Sequence, residues 1–252
     1  MTPASVRLLV IVNAASGLLL LIAAVAMTAA MSSRPPVLLP ADAGFGAGDG
    51  AMVRVPLGQV DLVLAVVVML VFVSLLRFAA SRPAARGSWL TAVEGDRHGL
   101  RWIELSQVGG ISLFLIAQLN GVSEMPALVL LYAMGAAGPL LLVLHDRRIE
   151  RGRRGMLAYS FGTAIASVPW GVVAFAQIGG GLAGASPSVG VRVLTIVMLI
   201  LLAVVWTAVG VAARRPGTAA DAPARAEVVQ LVLLAVVPLA LAVLCLAFIV
   251  PA

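Results

Sequence analysis

Apolar residues in this chain do not alternate with polar ones at the period of a strand, nor do they form one stripe of a soluble helix. They come in long blocks, at about 6–30, 58–80, 101–122, 127–144, 156–178, 190–212 and 228–250. Each block is near the ~20 residues a helix needs to cross a hydrocarbon core at 1.5 Å per residue. The pattern predicts an all-α membrane protein, a bundle of seven transmembrane helices in one domain over residues 1–252. The first block, LLVIVNAASGLLLLIAAVAM, exceeds the about 7–15 apolar residues of a secretory signal and reads as a span. Connections are short except SSRPPVLLPADAGFGAGDGAMVRVP, whose Pro, Gly and Asp stop helices and predict an external flap.

Composition sharpens this picture. Of 252 residues 62% are apolar and 11% charged, against roughly 45–50% and about 25% in soluble domains, which excludes a water-soluble globule. All 17 basic residues are Arg, and the chain contains no Lys. Arg7, Arg77, Arg82, Arg86, Arg97, Arg101, Arg147, Arg148, Arg151, Arg153, Arg154, Arg214, Arg215 and Arg225 fall on one side of the seven spans. Only Arg34, Arg54 and Arg192 fall on the other. Because Arg near span ends stays cytoplasmic, the amino terminus is expected in the cytoplasm and the carboxyl terminus outside, in a cell inner (plasma) membrane. The Arg clusters read as bilayer anchors. Lacking a recognition module, they do not point to nucleic acid. Arg-only, Ala-rich usage is that of a GC-rich bacterial genome.

Catalytic chemistry finds little support. One Cys, and two His (His98 and His145) in Arg-rich connections, leave no ligand set for a metal. No paired carboxylates, nucleophile with its base, or broken helices appear, so neither an enzyme nor a transporter is expected. Ionisable groups at bilayer depth are costly and therefore candidates for function. Glu104 lies about one turn into the third span with Arg101 at i−3. Its plainer reading is a wet interfacial carboxylate. The alternative pairs it with Arg77 of the second span, which otherwise snorkels to the interface. Asp61 and Glu227 sit at span ends and read as interfacial. Pro169 before Trp170 bends the fifth span and aims an aromatic ring, a common way to line a cavity. Ala133, Ala137 and Gly138 permit close packing, within one chain or between two.

At RWIELS, IAQLNGV, AYSFGTAIASVPW and the ending IVPA the chain resembles the heliorhodopsins, seven-helix retinal proteins whose amino terminus is cytoplasmic. The resemblance implies that Glu104 stands where the counterion of a protonated retinal Schiff base would be and that Trp170 takes the place of an aromatic residue at the retinal pocket, with Ser106 and Pro169 as further pocket candidates. It also implies a homodimer. Members carry a Schiff-base Lys in the seventh helix, at a position corresponding to Ala235, Val236 or Val237 here, and often two His where this chain has Leu20 and Arg77. Without Lys no side chain supplies the amine for an imine, so covalent retinal is not expected. Two functions follow from these observations. One is a non-pumping signalling, regulatory or interaction protein with an unidentified membrane partner. The other is noncovalent binding of retinal, a carotenoid or a lipid in the former pocket. The gain of Arg77 alongside the loss of Lys predicts that its guanidinium replaces the missing cation beside Glu104.

Overall fold

A computed structural model describes residues 1–46, 50–150, 155–214 and 221–250. Arg151, Arg153, Arg154 and Arg215 of the basic connections, and the last two residues of IVPA, lie outside them. The chain runs α1 (Pro3–Met31), β1 (Leu38–Gly46), β2 (Met52–Asp61), α2 (Leu62–Ser81), α3 (Pro83–Glu94), α4 (Gly99–Leu119), α5 (Met125–Glu150), α6 (Leu157–Leu182), α7 (Val189–Arg214) and α8 (Ala222–Phe248). Seven of these helices, all except α3, are long and apolar enough to span a membrane. This is the seven-helix bundle the hydropathy predicts.

Local chemistry sets the boundaries. Thr2 caps α1 by accepting from Ser5 N at 3.3 Å, with Pro3 at the first helical position. Asp61 ends β2 and caps α2, its carboxylate accepting from Val63 N and Leu64 N at 2.9 and 3.0 Å. Arg82 stops α2, and Pro83, which suits a first turn, starts α3.

Two connections hold more structure than expected. The predicted flap is an antiparallel β1–β2 hairpin with a bulge at Ala41/Asp42. It docks on the α4–α5 turn, where Asp42 N donates to Ser123 O at 2.9 Å and Gln118 Nε2 to Pro40 O at 3.1 Å. The second connection, expected only to be short, contains α3, which buries Trp89 and Val93 against Leu9, Ala80, Ala224 and Leu231 and closes the Arg-rich end. These apolar positions are too few and too interspersed with polar ones to stand out from a loop.

α4 is the central helix, packed by α2, α5, α6, α7 and α8. In its most apolar window 72% of residues are buried, against 22% in α6. Lipid is as apolar as Leu, so association inside a bilayer depends on close packing rather than on water exclusion. Gly138 and Gly162 provide it between α5 and α6. A Cβ at Gly138 would lie 2.8 Å from Gly162 O, and one at Gly162 would lie 2.7 Å from Gly138 O. Gly138 is thus used within the chain, while Ala133 and Ala137 are exposed on the outer face.

Candidate functional site

Near the Arg-rich end, the last turns of α2 meet the first turns of α4. Arg77 and Glu104 are both 0% exposed. Arg77 Nε donates to Glu104 Oε1 at 3.1 Å, and its Nη2 reaches the same oxygen. Arg101 Nη1 takes Oε2, so each oxygen of the carboxylate faces a guanidinium. Ser16 Oγ accepts from Arg77 Nη1, and Asn13 Nδ2 donates to Arg77 O at 2.7 Å, which fastens α1 to the cluster. The close approach needs Gly17, where a Cβ would lie 3.2 Å from Arg77 Cβ. Glu104 is therefore not a wet interfacial group, and Arg77 does not snorkel. The helices on either side of the α3 connection hold the two charges out of water against one another.

Glu227 corrects its interfacial reading in the same way, being 1% exposed. Its Oε1 accepts from Trp89 Nε1 at 3.0 Å and lies 3.2 Å from Arg101 Nε, and its Oε2 lies 2.6 Å from His98 Nδ1. His98 N and Trp102 Nε1 both donate to Asp146 Oδ2 at 2.9 Å. His98 lies in the connection outside the spans. Burial disfavours its charge, but hydrogen bonds to Asp96 and Glu227 prevail and push its pKa up to about 10. A buried ion is tolerated only when its partners satisfy it. Here Arg77, Arg101 and His98 balance Glu104, Glu227 and Asp146. Glu227, His98, Asp146, Trp89 and Trp102 were missed as site residues because their contacts are long in sequence. One signal was available: Glu227, Gln230, Leu231 and Leu234 recur at helical spacing on one face.

On the other side of α4 lies a cavity of about 230 Å³ among α4, α5, α6 and α7, lined by Leu105, Gly135, Tyr159, Trp170, Leu199 and Trp206 among others. Tyr159 Oη donates to Trp206 O at 3.0 Å and closes its Arg-rich end. Beyond that latch α6 and α7 barely meet, and the lining residues Ser167, Leu199, Ala203 and Thr207 are exposed at the seam between them. The cavity therefore opens sideways, toward lipid.

The family model described as Heliorhodopsin matches residues 9–244, nearly the whole chain. The chain belongs to the heliorhodopsin family. No curated protein matches it. Within this heliorhodopsin the expected pocket residues separate. Trp170 lines the cavity, whereas Ser106 and Pro169 are buried and do not form its wall. In α8, Ala235 and Val237 are 5% and 1% exposed and face the bundle, while Val236 is 40% exposed and faces outward. No α8 residue lines the cavity. The cavity is thus an aromatic slot whose wall contains no Lys.

Proposed function

We propose that this heliorhodopsin is a non-pumping regulatory or interaction protein of the plasma membrane, with a cytoplasmic amino terminus, that holds an apolar ligand noncovalently. The observation that carries the ligand reading is the aromatic cavity between α4 and α7 with its lateral opening, the form expected of a site filled from the bilayer. Retinal, a carotenoid or a lipid fits its chemistry. Covalent attachment does not, since the chain has no Lys and the α-amino group of Met1 is ion-paired with Glu94 at 2.6 Å, at the Arg-rich end. Arg77 stands in for the lost Schiff-base cation by neutralising Glu104. The non-pumping reading rests on that cluster, whose buried carboxylates are engaged by cations and aromatic donors rather than spaced as a relay across the bilayer.

A visible absorption spectrum of protein from retinal-supplied cells, with and without hydroxylamine, tests the reading. Wild type is expected to show no red-shifted band that hydroxylamine bleaches, and Ala235→Lys is expected to gain one. A bleachable band in wild type overturns the covalent exclusion. A hydroxylamine-resistant band, lost when Ala203→Trp fills the seam, is the expected sign of noncovalent pigment. Failure to take up retinal, carotenoid or lipid overturns the ligand reading.

A further inference from the structure

A second, much smaller chamber lies at the Arg-rich end among α4, α5, α7 and α8. Its volume is about 20 Å³, and its wall includes His145, Asp146, Gln230, Trp102, His98 and Val209. Two buried polar atoms belong to this wall. Gln230 Oε1 and His145 Nδ1, on side chains 4% and 7% exposed, find no hydrogen-bond partner among the described residues. Leaving such atoms bare in an apolar surrounding is costly. We propose that one ordered water molecule is a structural ligand of this chamber and bridges Gln230 of α8 to His145 of α5.

The volume and the chemistry both fit that ligand. A water needs roughly 10–15 Å³ of such space and two to four polar partners, so the chamber has room for one. The water donates its two protons to Gln230 Oε1 and to the Asp146 carboxylate, so His145 takes the Nδ1–H tautomer and donates to the water oxygen. The Asp146 carboxylate, already oriented by His98 N and Trp102 Nε1 at 2.9 Å, supplies the third partner. A metal ion is disfavoured, because no three His, Cys, Asp or Glu side chains among the described residues are grouped to hold one. The bridge links α5 to α8 past the small side chains Ala212 and Ala213 of α7. It also carries the polar cluster from Glu227, one turn before Gln230, to the start of the basic α5–α6 connection.

The test uses the full chain in lipid nanodiscs at a resolution that shows ordered water. Wild type should have a density peak within about 3.2 Å of both Gln230 Oε1 and His145 Nδ1, and Gln230→Leu should lose it. An empty chamber, or direct contact between the two side chains, overturns the proposal. Thermal unfolding gives a second readout. If one water serves both residues, His145→Phe lowers the midpoint by less than half as much in the Gln230→Leu background as in wild type. Fully additive shifts overturn the bridge.

Discussion

Glu104 and Leu105 are neighbours on α4, yet they look into regions built in opposite ways. On the Glu104 side, α1, α2, α4 and α8 close around charges, and the carboxylate meets a guanidinium at each oxygen. On the Leu105 side, α6 and α7 touch firmly only near Tyr159, Trp206 and Gly210, and a cavity remains open toward lipid. The difference follows from the solvent. In hydrocarbon an unsatisfied charge costs several kcal/mol and forces its surroundings shut. A seam of apolar side chains gains little by closing, because acyl chains solvate it as well as a neighbouring helix does. The closed region therefore carries the constraint on the fold, and the open region is free to take a guest.

The sharpest way to break this contrast is Glu104→Gln, which leaves two buried guanidinium groups without their shared anion. We expect a loss of about 3–5 kcal/mol in unfolding measured in nanodiscs. Arg77→Ala should cost far less in that background than in wild type, and additive losses would show the two charges to be independent. Next comes Gly162→Ala on the α5–α6 side. Its Cβ would meet Gly138 O at 2.7 Å, a backbone atom with nowhere to go, and a loss of about 1–3 kcal/mol is expected from the same measurement.

The pH dependence is more gradual. His98 titrates at about 10 when folded, against 6.5 for the free group, so its contribution is complete below about pH 6.5 and is lost as pH rises through about 10. The unfolding midpoint should fall over that window, and His98→Phe should flatten the fall. Smallest of all, Thr207→Val at the seam removes only an exposed hydroxyl bonded to Ala203 O at 2.8 Å. Its effect should stay within about 0.5 kcal/mol, and a larger one would mean that the seam is structural.

The seven spans were legible because their apolar runs are longer than any competing signal. The expected span at 101–122 is α4 at Gly99–Leu119. The span expected from residue 228 begins instead at Ala222. Arg225 and Glu227 made that first turn look like loop, and only the tertiary partners of Glu227, His98 and Trp89, show why a carboxylate is tolerated there. The juxtaposition of Arg77 with Glu104 was readable as an alternative, since a short connection brings the ends of α2 and α4 together. Its burial was not, because exclusion of water depends on α1, α3 and α8, which are distant in sequence. The cavity is still less legible. Its wall comes from four helices, and only Trp170 after Pro169 hinted at it.

Asp61 is the last residue of β2 and the cap of α2, so no slack residue separates the ribbon from the helix. The base of the hairpin is held where Leu62 N donates to Val37 O at 3.0 Å, and its flank rests on Ser123. β2 has ten residues, at about 3.4 Å each, and its partner strand rests on the α4–α5 turn. The first turn of α2, the helix that carries Arg77, therefore cannot shift without the base of the hairpin shifting with it.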